Sequence, residues 1–122
     1  MSKKILLVDD STTMLLMERM VLGNGGYQLL TARDGDEAVR TALSDHPDLI
    51  LLDVVMPRMD GFEVCRQLRS HDRTRQTPII MVTTRGEESH VEEGFRSGCN
   101  DFVIKPINGL ELLTKIKNLL GE

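Results

Sequence analysis

The sequence has no apolar run long enough to span a membrane and no excess of positive charge. Its apolar runs, such as residues 5–8 and 49–52, are four residues long, whereas a spanning helix needs about 20. Lys3 and Lys4 precede only one such run before two aspartates, which is not the pattern of a signal peptide. With 15 Lys and Arg against 19 Asp and Glu, the net charge is −4, which argues against a polyanionic partner. We therefore expect no membrane insertion, no direct nucleic-acid binding and a cytoplasmic location.

The chain also has few cysteines and no loop motif that binds a nucleotide. Cys65 and Cys99 form no CxxC pair and have no histidine at ligand spacing, so two reduced thiols are favoured over a disulfide or a zinc site. The motifs GxxxxGK[ST] and GxGxxG are absent, and no His, Ser or Cys stands in the pattern of a catalytic triad. The chemistry therefore has to come from other residues.

Short apolar segments alternate with amphipathic segments along the whole chain. Candidate strands cover residues 4–8, 28–31, 49–52, 79–82 and 101–104, and candidate helices cover residues 12–23, 36–45, 61–70, 87–97 and 109–120. Three of the strands are apolar throughout, which is typical of parallel strands that are buried on both faces. Five strand–helix pairs predict a single α/β domain over residues 1–122, with a parallel sheet and right-handed crossovers.

Two groups of side chains on the predicted helices have a functional and a structural interpretation. The first helix is rich in methionine, which could form a binding face, but core packing by flexible side chains is favoured. This group comprises Met14, Leu15, Met17, Met20 and Val21. Arginines 66, 69, 73 and 75 could form an anion patch, but a solvated helix end is favoured, because positive charge there suits the helix dipole.

Polar side chains follow the predicted strands at the points where the strands end. Asp53 ends an apolar run, and a lone carboxylate in such a place is unfavourable unless a partner compensates it. Asp9 and Asp10 end the first strand, Thr83 the fourth and Lys105 the fifth. Because ligands of open parallel sheets bind beyond the carboxyl ends of the strands, we expect these five residues to lie at one edge. Each alone has an ordinary structural explanation, but their common placement does not.

Crowded carboxylates raise each other's pKa unless a cation lies among them. Magnesium fits this cluster best, since it prefers oxygen ligands and retains waters that leave room for a phosphoryl group. Calcium stays open, although the chain has no EF-hand loop. A carboxylate can act as a nucleophile toward phosphorus, and such a transfer needs positioning and charge neutralisation. Lys105 would supply positive charge and the Thr83 hydroxyl a hydrogen bond.

These motifs resemble the receiver domain of bacterial two-component response regulators. The resemblance extends over residues 3–120 and rests on Val8-Asp9-Asp10-Ser11, on the run DVVMPRMDG at residues 53–61, on Val82-Thr83-Thr84 and on Lys105-Pro106. It implies a flavodoxin-like (βα)5 three-layer sandwich whose parallel five-stranded sheet has the order 2-1-3-4-5. It also implies a phosphoacceptor function in two-component signalling rather than an enzyme with a metabolic substrate.

The resemblance assigns a role to each residue of the cluster. Asp53 would accept a phosphoryl group from a sensor histidine kinase or a phosphotransfer protein. Mg²⁺ would be coordinated by Asp10, Asp53 and the backbone carbonyl of Val55, with Asp9 assisting, and Lys105 would pair with the phosphoryl oxygens. Thr83 and Phe102 would be the switch residues, and the Lys105–Pro106 bond would be cis. The surface of helix four, strand five and helix five would then change for an unidentified output protein, with Gly94 leaving helix four mobile.

Several alternatives stay open at this stage. A Mg²⁺-dependent phosphohydrolase could use Asp53 as its nucleophile, but Val55 stands where a second aspartate is expected and no cap-sized insertion exists. A phosphate-independent scaffold is disfavoured because all five site residues are present. The domain could stand alone or belong to a larger regulator. Val55 and Arg85, two residues after Asp53 and Thr83, could tune the lifetime of the phosphoryl group or be ordinary loop residues.

Overall fold

A computed structural model describes residues 2–84 and 88–122, and it confirms the predicted alternation of strands and helices. The strands are β1 (Lys4–Val8), β2 (Gln28–Ala32), β3 (Leu49–Asp53), β4 (Ile79–Thr84) and β5 (Asp101–Lys105). The helices are α1 (Thr12–Leu22), α2 (Gly35–Asp45), α3 (Gly61–Ser70), α4 (Glu88–Ser97) and α5 (Gly109–Leu120). Within these described residues, none of the helices combines the length and apolarity that crossing a bilayer requires.

The five strands form one parallel sheet with the order β2-β1-β3-β4-β5, as the resemblance implied. Helices α2, α3 and α4 cover one face over a core that includes Ile50, Leu52 and Met81. Helices α1 and α5 cover the other face over a core that includes Leu51 and Val82. Because successive strand residues point to opposite faces, each central strand contributes to both cores. This explains why its sequence is apolar throughout.

Polar residues in the loops after the strands begin the helices where the sequence indicated. The side chains of Ser11, Asp34, Asp60 and Asn108 accept hydrogen bonds from backbone N–H groups three residues further on. These caps satisfy donors that the first turn of a helix leaves unpaired. At the other end of α2, His46 adopts the left-handed conformation with φ 51°, which ends the helix before Pro47. These four side chains therefore fix where α1, α2, α3 and α5 begin.

The methionine-rich face of α1 does not pack in the core, so that prediction was wrong for two of its residues. Met17 is 42% exposed and Met20 is 71% exposed. The buried residues of α1 are Leu15, Glu18 and Leu22. Glu18 thus lies on the buried side of α1 with Leu15 and Leu22, whereas Met17 and Met20 lie on the exposed side.

Arg69 is neither part of an anion patch nor a solvated charge at the end of α3. Its guanidinium group donates to the carbonyl oxygens of Gly98, Thr74 and Thr77 at 2.9, 3.1 and 2.8 Å, and to Oδ1 of Asn100 at 2.9 Å. The planar fork of arginine can reach several acceptors at once. Arg69 thus joins the loop before β4 to the loop before β5.

Replacing Arg69 by alanine is expected to lower the free energy of unfolding by about 2–4 kcal/mol, since it leaves partly buried acceptors without a donor. Arg69→Lys should recover only part of this, because an ammonium group cannot span the same acceptors. Urea unfolding followed by circular dichroism measures both. Arg75→Ala is the control, since its ion pair with Asp72 is exposed and should contribute less than about 1 kcal/mol. Equal losses for Arg69→Ala and Arg75→Ala would contradict the assignment.

Candidate functional site

The carboxyl edge of the sheet brings together three aspartates from two adjacent strands. One carboxylate oxygen from each of Asp9, Asp10 and Asp53 lies within 4.8 Å of the others. Asp9 and Asp53 are buried, with 1% and 4% of their surface exposed, whereas Asp10 is exposed. Asp9 and Asp53 continue the rows of Leu7 and Leu51, which face α1 and α5. The predicted cluster therefore forms, and it opens to solvent through Asp10.

Lys105 is the cation that contacts Asp53. Its Nζ lies 3.1 Å from Oδ1 of Asp53, and the lysine side chain is 27% exposed. Lys105 continues the row of Val103 and so projects on the same face as Asp53. Burial raises the pKa of Asp53 to about 6, helped by the nearby charge of Asp9, while Lys105 acts in the opposite direction. Asp53 thus stays ionised near neutral pH, with its charge only partly balanced.

Asp9 has a buried oxygen atom that lacks a partner among the described residues. Its Oδ1 accepts a hydrogen bond from the backbone N–H of Ser11 at 2.9 Å, but its Oδ2 is unpaired. Burial raises the pKa of Asp9, and the hydrogen bond from Ser11 acts against this shift. An unpaired buried oxygen beside two further carboxylates is what a hard cation with oxygen ligands would satisfy. The donor set therefore fits the expected Mg²⁺.

The loop after β3 passes close to Asp53 and depends on a glycine. Gly61 donates its backbone N–H to the carbonyl of Val54 at 2.8 Å. A Cβ atom on Gly61 would lie 2.5 Å from the carbonyl oxygen of Asp53, so only glycine fits this approach. Val55 is 62% exposed in this loop. Its carbonyl remains a predicted metal ligand, and Arg85 lies outside the described residues.

Thr83 reaches the same edge of the sheet but faces the opposite side. It is 2% exposed and continues the row of Ile79 and Met81, which belongs to the core under α2, α3 and α4. Its Oγ1 lies 2.8 Å from Nδ1 of His90 on α4. Sequence reasoning missed His90, because a histidine on an amphipathic helix carries no local signal of what it contacts. The five predicted residues thus share an edge but are divided between two faces.

Phe102 packs into α4 beside this contact. The phenylalanine is 7% exposed, and its ring centroid lies 5.7 Å from that of Phe95. Gly94 is buried against it, and a Cβ atom on Gly94 would overlap the Phe102 ring and lie 3.0 Å from Sδ of Met81. Gly94 thus makes room for an aromatic ring, and the mobility predicted for α4 stays a prediction. The Lys105–Pro106 bond is cis, as expected.

Glu18 is a further carboxyl group near the cluster that sequence reasoning missed. It lies on α1, which packs on the same face as Asp9 and Asp53, and only 1% of it is exposed. Its Oε1 has no hydrogen-bond partner among the described residues. Burial raises its pKa to about 8, and the charges of Asp9 and Asp53 add to the shift. Its helical spacing from Leu15 and Leu22, which places the three residues on one side of α1, was the sequence signal that could have indicated its burial.

A protein-family model and curated relatives match nearly the whole of this chain. The model of the response regulator receiver domain family matches residues 5–117. The transcriptional regulatory protein ResD of Bacillus subtilis is 44% identical over 117 residues, covering 96% of this chain and 48% of ResD. The chain spans about half the length of the curated relatives it matches.

Two solved structures have the same fold as this chain. The chemotaxis protein CheY4 of Vibrio cholerae is 35% identical with a TM-score of 0.91, covering 98% of this chain and 99% of that one. The receiver domain of the sensor histidine kinase PA1611 of Pseudomonas aeruginosa is 30% identical with a TM-score of 0.92, covering 100% of both chains. That receiver domain has a magnesium ion coordinated in its active site cleft.

Because the pKa of Glu18 is raised, we expect the free energy of unfolding to depend on pH through this residue. Its pKa is about 8 in the folded state against an ordinary value of 4.5 for a glutamate side chain, so the unfolded chain loses the proton first as the pH rises. The contribution of Glu18 to stability is therefore full below pH 4.5 and is lost as the pH approaches 8. Relative to wild type, Glu18→Gln should gain stability progressively across this window.

Urea unfolding of both proteins at several pH values, without added metal, measures the difference. Glu92→Gln is the control, since it makes the same replacement at an exposed glutamate on a helix. A difference between wild type and Glu18→Gln that is the same at every pH would contradict the buried, protonated state of Glu18.

Proposed function

The chain belongs to the response regulator receiver domain family, and we propose that Asp53 is the residue that accepts its phosphoryl group. The observation that carries this proposal is the buried Asp53 carboxylate, held 3.1 Å from Nζ of Lys105 and within reach of two further aspartates. As a receiver domain the chain is not a classical enzyme, which disfavours the phosphohydrolase alternative. Self-catalysed steps on its own aspartate remain part of the proposal.

The proposed reaction is a transfer from phosphohistidine to aspartate. An ionised oxygen of Asp53 attacks the phosphorus atom, the new O–P bond forms, and the P–N bond breaks. The electron pair of that bond leaves with the donor imidazole, which takes up a proton. The pKa of Asp53, raised to about 6, still leaves the carboxylate ionised at neutral pH. It can therefore act as a nucleophile without a separate base.

Charge neutralisation at the site would be shared between a cation and Lys105. We infer that Asp9, Asp10, Asp53 and the carbonyl of Val55 hold Mg²⁺, which would neutralise phosphoryl oxygens and orient them toward the carboxylate. Lys105 would keep its ammonium group on Asp53 before transfer and on the phosphoryl oxygens afterwards. Burial of Asp53 limits the access of water to the acyl phosphate bond that forms.

We infer that the donor is a sensor histidine kinase or a phosphotransfer protein that docks on α1. Met17, Met20, Val21 and Ile107 line an apolar groove between α1 and the loop that follows Lys105. A phosphohistidine must come close to Asp53, so its carrier has to cover the surface around this edge. An apolar groove there is suited to an apolar helix face. The exchange would take place in the cytoplasm, and the free thiols Cys65 and Cys99 are consistent with a reducing compartment.

The output would be a protein contact made by the surface of α4, β5 and α5. Phe95 and Ile104 are 50% and 46% exposed there, and Thr83 and Phe102 connect this surface to the site. The relatives that are transcriptional regulators are about twice as long as this chain, so their DNA-related function need not reside in the matched part. With a net charge of −4, this domain is proposed to act through protein partners and not by direct contact with nucleic acid.

Incubation with acetyl phosphate and Mg²⁺ is expected to add one phosphoryl group to the wild-type protein and none to Asp53→Asn. Intact-mass spectrometry detects the adduct, and chelation of the metal should abolish it, because the crowded carboxylates then repel the incoming anion. Asp36→Asn, an exposed aspartate on α2, is the matched control and should be phosphorylated normally. An adduct on Asp53→Asn would overturn the assignment.

Replacing both Met17 and Met20 by serine is expected to slow phosphotransfer from a kinase by about tenfold, the effect of losing roughly 1.4 kcal/mol at an interface. A panel of radiolabelled kinases is first screened for the one that transfers its phosphoryl group to the wild-type protein fastest. The transfer rates of wild type and variants are then measured with that kinase. Phosphorylation by acetyl phosphate should not change, since a small donor needs no docking surface. Phe95→Ser, which removes an exposed apolar residue from the opposite face, is the control. Equal slowing by both variants would contradict docking on α1.

A further inference from the structure

A histidine of α4 holds the Thr83 hydroxyl on the face of the sheet that points away from Asp53. Oγ1 of Thr83 lies 2.8 Å from Nδ1 of His90, within the range of a good hydrogen bond. Thr83 is 2% exposed, so little water competes for this contact. By strand alternation Asp53 projects toward α1 and α5, whereas Thr83 projects toward α4. The hydroxyl is thus committed to α4 in this structure.

The position of His90 is fixed by a ring contact and by the packing of its helix. Its ring meets the edge of Phe62 on α3, with centroids 5.6 Å apart and an interplanar angle of 73°. Gly94 lies one helical turn further along α4 and is packed under Phe102, which sets the distance of the helix from the sheet. The contact with Thr83 is therefore built by three elements and is not the contact of a freely moving side chain.

We propose that His90 is a positioning residue that latches Thr83 in the unphosphorylated state. The proposal rests on the proposed function, in which Asp53 carries the phosphoryl group and Thr83 is the switch residue. A phosphoryl group on Asp53 would place acceptor oxygens beyond the carboxyl ends of β3 and β4, the edge that Asp53 and Thr83 share. Thr83 reaches them only by rotating its side chain from one staggered position to another. That rotation removes Oγ1 from Nδ1 of His90, whichever of the two atoms carries the proton.

The phosphoryl group and α4 therefore compete for a single hydroxyl group. While Asp53 is unmodified, the Thr83–His90 bond tethers the start of α4 to β4, and phosphorylation releases the tether. A ligand shifts such an equilibrium only as far as its preference for one state allows. Its apparent affinity is lower when a smaller fraction of the protein is in the state that binds it. Removing a bond of ordinary strength from the resting state should change this equilibrium by about 2- to 12-fold.

The test uses beryllofluoride with Mg²⁺ as a phosphoryl mimic and measures its apparent Kd from the amide shifts of α4. His90→Phe keeps a ring against Phe62 but has no nitrogen, and it should bind the mimic about 2- to 12-fold more tightly. His90→Asn places an amide group near Nδ1 and should restore the wild-type Kd. In a Thr83→Val background, His90→Phe should have no further effect. An unchanged or weakened affinity of His90→Phe would overturn the latch.

A second measurement does not depend on phosphorylation or on the folding of His90 variants. The ¹⁵N shift of Nδ1 of His90 in the unphosphorylated protein should change on Thr83→Val, because the bond partner is removed. If it does not change, the latch is wrong even when Asp53 is phosphorylated as proposed. If acetyl phosphate fails to modify wild type but the shift responds to Thr83→Val, the proposed function fails and the resting contact stands.

Discussion

The burial of the Asp53 carboxylate at the end of an apolar strand is the constraint on which the rest of the site depends. The carboxylate is 4% exposed, and its neighbours at the sheet edge include two more aspartates. Lys105 balances one of these charges at 3.1 Å, and Oδ2 of Asp9, which has no partner in the described part of the chain, is a buried oxygen ligand for a cation. The arrangement is unfavourable by itself and becomes favourable when positive charge compensates the carboxylates. A site of this kind is suited to phosphoryl transfer because its excess of negative charge favours binding of the cation that the reaction needs.

The parallel sheet separates the carboxylate cluster from the proposed output surface. Asp9, Asp53 and Lys105 continue rows that face α1 and α5, whereas Thr83 and Phe102 belong to the side of α4. All of them still meet at one edge, since parallel strands end there together. A change of charge on one face can therefore reach the other face through a single side chain at the strand end. This geometry permits a local charge to alter the packing of a helix without rearranging the core.

Helix α4 and the residue after it contact their surroundings at defined points. Gly94 accepts the ring of Phe102, His90 contacts Thr83, and Gly98, with φ 113°, lets Arg69 reach the loop before β5. A change at Thr83 or Phe102 would therefore alter contacts that position α4. Glu18 lies on the opposite face, where burial and the charges of Asp9 and Asp53 raise the pKa of its carboxyl group to about 8.

The sequence alone determined the elements and the cluster, because apolar periodicity, capping residues and strand-end polar residues are local signals. All five strands and five helices lie within two residues of their predicted bounds, and Asp9, Asp10 and Asp53 meet as expected. Only the tertiary structure decided which face each side chain occupies and what it contacts. The exposure of Met17 and Met20, the burial of Glu18 and the contact of His90 with Thr83 depend on how helices rotate against the sheet. That rotation is set by the packing of distant residues, which no local pattern encodes.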